Sequence, residues 1–132
     1  MASAQSRTSS GRIFPEAIRD IRVGRKARTL HFLHSAGGRM LLGSYWVHYQ
    51  SGRTWEIPVS GDVDGLSLRF KDEEIHDVER ATLAWVGKNP YTGLRLYKST
   101  WENPFPSDEI SSIDVVSAMN WLTLSLFAIT VE

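Results

Sequence analysis

Leu124-Ser125-Leu126-Phe127-Ala128-Ile129-Thr130-Val131-Glu132 ends the chain on an apolar run with the β-branched and aromatic composition of a strand. Leu124, Leu126 and Ala128 fall on one parity and Phe127, Ile129 and Val131 on the other. Both faces read as apolar, which predicts a strand lying inside a sheet rather than at its edge. Upstream, Leu66, Leu68 and Phe70 alternate with Ser67 and Arg69, the pattern of a strand with one wet face. Further strands are predicted near 27–34, 41–49, 54–59, 81–86, 93–100 and 110–117, separated by Gly, Pro, Asn and Asp clusters. Short strands at this spacing, without a long amphipathic helical pattern, predict an all-β fold. A two-sheet antiparallel β-sandwich of jelly-roll type is favoured over a small closed barrel.

The 132 residues are enough for one domain with one core. Residues 1–12 are small and polar and read as a disordered lead-in, leaving 13–132 as a single β-sandwich domain. They lack the apolar centre of a signal peptide, and no apolar run approaches the roughly 20 residues that span a bilayer, so no membrane span is expected. The absence of cysteine excludes disulfides, thiolate metal sites and a catalytic thiol.

Charge is balanced overall but not along the chain. Residues 1–53 hold nine Lys+Arg against two Asp+Glu, whereas residues 54–132 hold six against thirteen. The densest basic run is Arg19, Arg22, Arg25, Lys26 and Arg28. No nucleic-acid-binding signature accompanies it, and the acidic half would repel a polyanion, so no nucleic-acid partner is expected. The alternative expectation is that strands from the two halves pair and their charges meet across a sheet.

One hairpin is legible to its register. A two- or four-residue loop would set Val47 opposite Glu56, mixing an apolar face with a charged one. A three-residue loop, Gln50-Ser51-Gly52, sets Val47 opposite Trp55, Tyr45 opposite Ile57 and Gly43 opposite Val59. It also puts Gly52 where a type I turn with a G1 bulge needs a left-handed residue. The other face then carries Trp46 opposite Glu56 and His48 opposite Thr54. An outward indole calls for something to cover it, and Trp46, His48 and Glu56 are a candidate interaction face.

Metal and catalytic signatures are poor. His31 and His34 stand three apart on a predicted strand and point to opposite faces, so they cannot share an ion and read as structural. The acidic stretch Asp72, Glu73, Glu74, Asp77 and Glu79 lacks the ligand alternation of a calcium loop and reads as solvated. No nucleophile elbow or phosphate-cradling glycine loop occurs, so neither an enzyme nor a cofactor is expected. Aromatics are the remaining clue, with five Trp and four Tyr. Trp55 and Trp85 fall on predicted core-facing positions. Tyr91, in Lys88-Asn89-Pro90-Tyr91-Thr92-Gly93, and Trp101, in Trp101-Glu102-Asn103-Pro104-Phe105-Pro106, are predicted on loops, where binding residues concentrate. Asn103 before Pro104 is expected to form a turn through its own side chain.

The succession Arg28-Thr29-Leu30-His31-Phe32-Leu33-His34, Gly43-Ser44-Tyr45-Trp46-Val47-His48-Tyr49 and Glu56-Ile57-Pro58-Val59 resembles a bacterial β-sandwich accessory domain with a galactose-binding-like jelly roll. Ala84-Trp85-Val86-Gly87-Lys88-Asn89, Leu94–Pro104, Ile113–Ala118 and the closing Ala128–Glu132 extend the resemblance over nearly everything after residue 26. Most such domains are of unassigned function, and Gly61-Asp62-Val63-Asp64-Gly65 lacks the tryptophan-rich segment expected to follow in them. The resemblance supports the fold, and the loop aromatics lead to the expectation of a noncatalytic carbohydrate-binding module. In that reading Trp101 and Tyr91 stack on sugar rings while Asn103 and Glu102 hydrogen-bond hydroxyls. The rival expectation is a protein-interaction or scaffold domain whose Trp46/His48/Glu56 face packs on a neighbouring domain or a second copy.

Overall fold

A computed structural model describes residues 2–4, 16–36, 41–60, 80–88, 93–118 and 124–132. Nine strands are present among them: β1 (Ala2–Ala4), β2 (Ala17–Arg25), β3 (Thr29–Ala36), β4 (Leu41–Tyr49), β5 (Thr54–Ser60), β6 (Ala81–Lys88), β7 (Gly93–Glu102), β8 (Ile110–Ser117) and β9 (Leu124–Val131). They form two antiparallel sheets, β1-β9-β3-β7-β6 and β2-β8-β4-β5, stacked as a sandwich rather than closed into a barrel. Three of the opening residues, 2–4, which read as lead-in from sequence, pair with Leu124–Leu126 as β1. The strand predicted at 66–70 lies outside the described residues.

The core lies between the sheets. Leu30 and Phe32 of β3 and Leu124 and Leu126 of β9 face Tyr45 and Val47 of β4 and Ile113 and Val115 of β8. At its centre the rings of Phe32 and Tyr45 stack, with centroids 4.2 Å apart and planes within 5°. His34 Nδ1 and the Tyr45 hydroxyl hydrogen-bond across the interior at 2.8 Å. His31, on the opposite face, bonds Thr100 Oγ1 and Glu132 Oε2, each at 2.8 Å. The two histidines therefore divide between faces, as their spacing requires.

The β4–β5 hairpin has the predicted register at every pair from Gly43↔Val59 to His48↔Thr54. Tyr49 N donates to Arg53 O at 2.9 Å, Gly52 N donates to Tyr49 O at 3.0 Å, and Gly52 has φ +90°.

Bulges alter three other readings. In β9, Leu33 pairs with Ala128 but His34 pairs with Leu126, so Phe127 is the extra residue and parity changes across it. Leu124, Leu126, Ile129 and Val131 all face the core, while Phe127 is 37% exposed. The two apolar faces of the terminal strand are thus one face with a phase shift. Only its first three residues are flanked on both sides, and 127–131 has no strand beyond it among the described residues. In β6, Leu83 pairs with Tyr97 and Trp85 with Leu96, so Ala84 is extra. Trp85 shares the outer face with Leu96 and is 50% exposed, not core-facing as its parity with Leu83 suggested. Trp55 does pair with Val47, yet on the edge strand β5 it remains 40% exposed, edge-on to Phe105. Finally, β2 was not legible as a strand because shifts between Ile18 and Ile21 and between Arg22 and Arg25 break its alternation. Asp20 and Gly24, at φ +60° and +63°, lie inside those shifts.

Adding a side chain at Gly52 meets no atom within 4 Å, so its cost is conformational. Gly52→Val should destabilise by about 1–2 kcal/mol and Gly52→Asn by clearly less, because Asn tolerates left-handed backbone. Urea denaturation of both variants checks this, and equal losses would contradict the turn assignment.

Candidate functional site

The carbohydrate constellation expected from sequence is not brought together. Trp101 lies within β7 rather than on a loop, opposite buried Leu30, and packs against the core. Glu102, opposite Thr29, is exposed on the other face of the same sheet. Adjacent strand residues point oppositely, so Trp101 and Glu102 cannot address one sugar ring together. Tyr91 lies outside the described residues.

Asn103 is committed to the fold. Its Nδ2 donates to Ala27 O at 2.7 Å and Phe105 O at 3.3 Å. Its Oδ1 accepts from the Tyr49 hydroxyl at 2.6 Å and from Phe105 N at 2.9 Å, the latter closing the expected turn. The residue is buried, with both donors and both acceptor positions used. Burial first, then the nearby Asp108 charge, push the Tyr49 hydroxyl up to about 12, against an opposing effect of Arg53. This hub joins β4, the β2–β3 link and the segment after β7, and holds Phe105 for an edge contact with Tyr49 and for the Arg53 guanidinium 3.7 Å from its ring centre.

Asn103→Ala should cost at least about 2 kcal/mol in chemical denaturation, since it strands the Tyr49 hydroxyl and the Ala27 carbonyl in the interior. The raised Tyr49 value favours the neutral phenol in the fold, so its contribution is full below pH 10 and is lost as pH rises towards 12. Tyr49→Phe should lack that alkaline loss.

The second predicted set is assembled. Trp46, His48 and Glu56 share the outer face of the β2-β8-β4-β5 sheet, with Trp46 between Asp114 on β8 and Glu56 on β5. Asp114 is the centre of this face and was missed in the sequence, where it reads as one acidic residue in an alternating strand. Its Oδ2 accepts from His48 Nε2 at 2.9 Å and Arg19 Nη1 at 3.2 Å, and its Oδ1 from the backbone N–H of Asp20 at 2.9 Å. Burial by itself would raise its pKa; the Asp20 N–H, His48 and Arg19 outweigh it and hold the carboxyl below its ordinary value. Ser44 Oγ donates to Glu56 Oε1 at 2.5 Å. The Asp114 carboxylate therefore pins β2 at its left-handed residue Asp20 to β8 and β4.

Because the folded value of Asp114 is depressed, its contribution is full above the unfolded carboxylate value of about 3.9 and is lost as pH falls below it. Thermal melts between pH 6 and pH 2 should show a steeper acid loss for the wild type than for Asp114→Asn.

A third feature is the indole of Trp85. A Cβ at Gly87 would fall 2.0 Å from Trp85 Cη2 and 2.6 Å from Cζ3, so the six-membered ring occupies the space above that glycine. The indole lies down along β6 instead of standing away from it. Leu96 is its cross-strand neighbour, and Thr82 and Lys98, a directly opposed and exposed pair, form the next outward row. Only the bulge at Ala84 turns the ring outward, and a bulge has no signature in this stretch of sequence.

Among the described residues no group of three or more His, Asp or Glu is placed to hold a metal ion. No helix among them is long and apolar enough to cross a membrane. No family model, curated protein or solved structure matches the chain.

Proposed function

We propose that this domain is a noncatalytic carbohydrate-binding module whose stacking platform is Trp85. The observation that carries the reading is a half-exposed indole laid over Gly87 on the outer face of a sheet. An aromatic surface held in place before binding suits the apolar C–H face of a pyranose, and little side-chain freedom is lost when the sugar docks. Thr82 and Lys98 share this face but stand on the far side of Trp85 from Gly87. The resemblance to galactose-binding-like sandwich domains is a second support. Trp101 and Asn103, turned inward and internally bonded, have no part in this platform.

Glycan-array screening followed by titration calorimetry tests it. Trp85→Ala should weaken binding of the selected neutral glycan by about 1–3 kcal/mol, by analogy with base stacking on aromatic side chains. The melting temperature should change little, because half of the residue is already in water. Gly87→Ala retains the indole but displaces it, and should weaken binding in the same direction. Affinity should be nearly independent of salt, as expected for a neutral ligand. Failure of the wild type to bind any neutral glycan at millimolar concentration, or full binding by Trp85→Ala, refutes the proposal.

A further inference from the structure

The sheet face that carries Trp85 extends well past the indole. Register puts Lys98 opposite Thr82 on β6 and Leu33 on β3, Thr100 opposite His31, and Glu102 opposite Thr29, all on that outer face. From Gly87, beneath the ring, the β6–β7 ladder runs only one pair further towards the turn, to Lys88↔Gly93. In the other direction the sheet continues under β7 from Leu94 to Thr100, about 20 Å at the usual rise per residue. A ligand that outgrows the indole is supported on that side, and a single pyranose covers a fraction of the span.

At the far end three side chains are already joined. His31 Nε2 donates to Glu132 Oε2 and His31 Nδ1 meets Thr100 Oγ1, each at 2.8 Å. A neutral imidazole with its proton at Nε2 accepts at Nδ1, so Thr100 donates to it and keeps lone pairs to offer. The His31 ring is 18% exposed and the Glu132 side chain 76%, and Thr100 is exposed. A shielded ring thus holds two exposed acceptors in place, and Glu132 Oε1 takes no hydrogen bond among the described residues. Charge selects the occupant. Exposed Glu102 and Glu132 oppose a polyanion, and exposed Lys98, between them and Trp85, opposes a polycation. A neutral polyhydroxyl chain meets acceptors and a donor without repulsion.

We infer that this face binds a linear neutral oligosaccharide, with one ring seated on Trp85 and the chain running over Lys98 to donate hydroxyls to Thr100 and Glu132. The inference rests on the reading of Trp85 as a sugar platform and adds the length and direction of the ligand. Once the first ring is seated, the distal contacts form intramolecularly, so affinity grows with chain length until the chain reaches Thr100.

The probes are cello-, xylo- and manno-oligosaccharides of one, two, four and six units, titrated calorimetrically. In the series that binds, wild-type affinity should rise at least tenfold from one unit to six. Thr100→Val/Glu132→Gln should abolish that rise and leave the single sugar bound as before, whereas Trp85→Ala should weaken every length. Circular dichroism checks that the double variant is folded; Thr100→Val alone, which exchanges one exposed hydroxyl for a methyl, should lower the six-unit affinity severalfold. A six-unit oligogalacturonide should bind less tightly than its neutral counterpart. Affinity that does not change with length, or a length gain that survives Thr100→Val/Glu132→Gln, overturns the track and leaves the Trp85 platform standing. Tighter binding of the oligogalacturonide overturns the neutral occupant. Length-dependent binding that survives Trp85→Ala overturns the platform and the anchored track together, as does failure of every probe to bind at millimolar concentration.

Discussion

The contact between Phe32 and Tyr45 is the point on which the two sheets depend. β3 and β4 are consecutive in sequence but belong to different sheets, and their rings meet in near-parallel planes at the centre of the core. A phenol brought this deep needs a partner, and His34, two residues along β3 and on the same face, provides it. The interior is thus closed by an apolar stack and one hydrogen bond that spans the sheets. Each such ring, buried, contributes roughly 1.5–3 kcal/mol, and the bond specifies the relative placement of β3 and β4.

Polar groups secure the ends of the sandwich in a similar manner. Asn103 ties the hairpin end of β4 to the β2–β3 link, and Ser51 donates to Asp108 across the same end. Asp114 binds the irregular edge strand β2 to β8 and β4 through two side chains and a backbone N–H. Glu132 joins β9 to β3 through its backbone and to His31 through its carboxylate. Asn103, Asp114 and Glu132 act where a strand ends or bulges, which is where ladder hydrogen bonds run out and side chains must satisfy backbone groups. Residues that would look like ligand contacts in a list of polar and aromatic types, Asn103 above all, are used up by this work.

What remains exposed is then informative. Trp85 and the β2–β9 flank are not consumed by the fold, and they lie at different places: one on an outer sheet face, the other at an open edge.

Much of the fold was legible in the sequence where alternation ran unbroken. The strands from 41 to 59 could be paired residue by residue, because only a three-residue loop kept Val47, Tyr45 and Gly43 on one face and gave Gly52 the left-handed position. The opposite faces of His31 and His34 and the turn at Asn103 followed from equally local rules. Of the candidate sites, the shared face of Trp46, His48 and Glu56 was legible from the same register, and the rest was not. Trp85 faces outward because Ala84 is one residue too many, β9 has one buried face because Phe127 is, and β2 was missed because Asp20 and Gly24 interrupt it. A single inserted residue leaves composition and apolar content unchanged while reversing every side chain beyond it. By itself the sequence determined the strands whose alternation is unbroken, one hairpin register and the sandwich class, since these follow from period-two burial and turn chemistry. Only tertiary pairing decided which aromatics face water and which edge is left open, because a bulge is fixed by the partner strand against which it is counted.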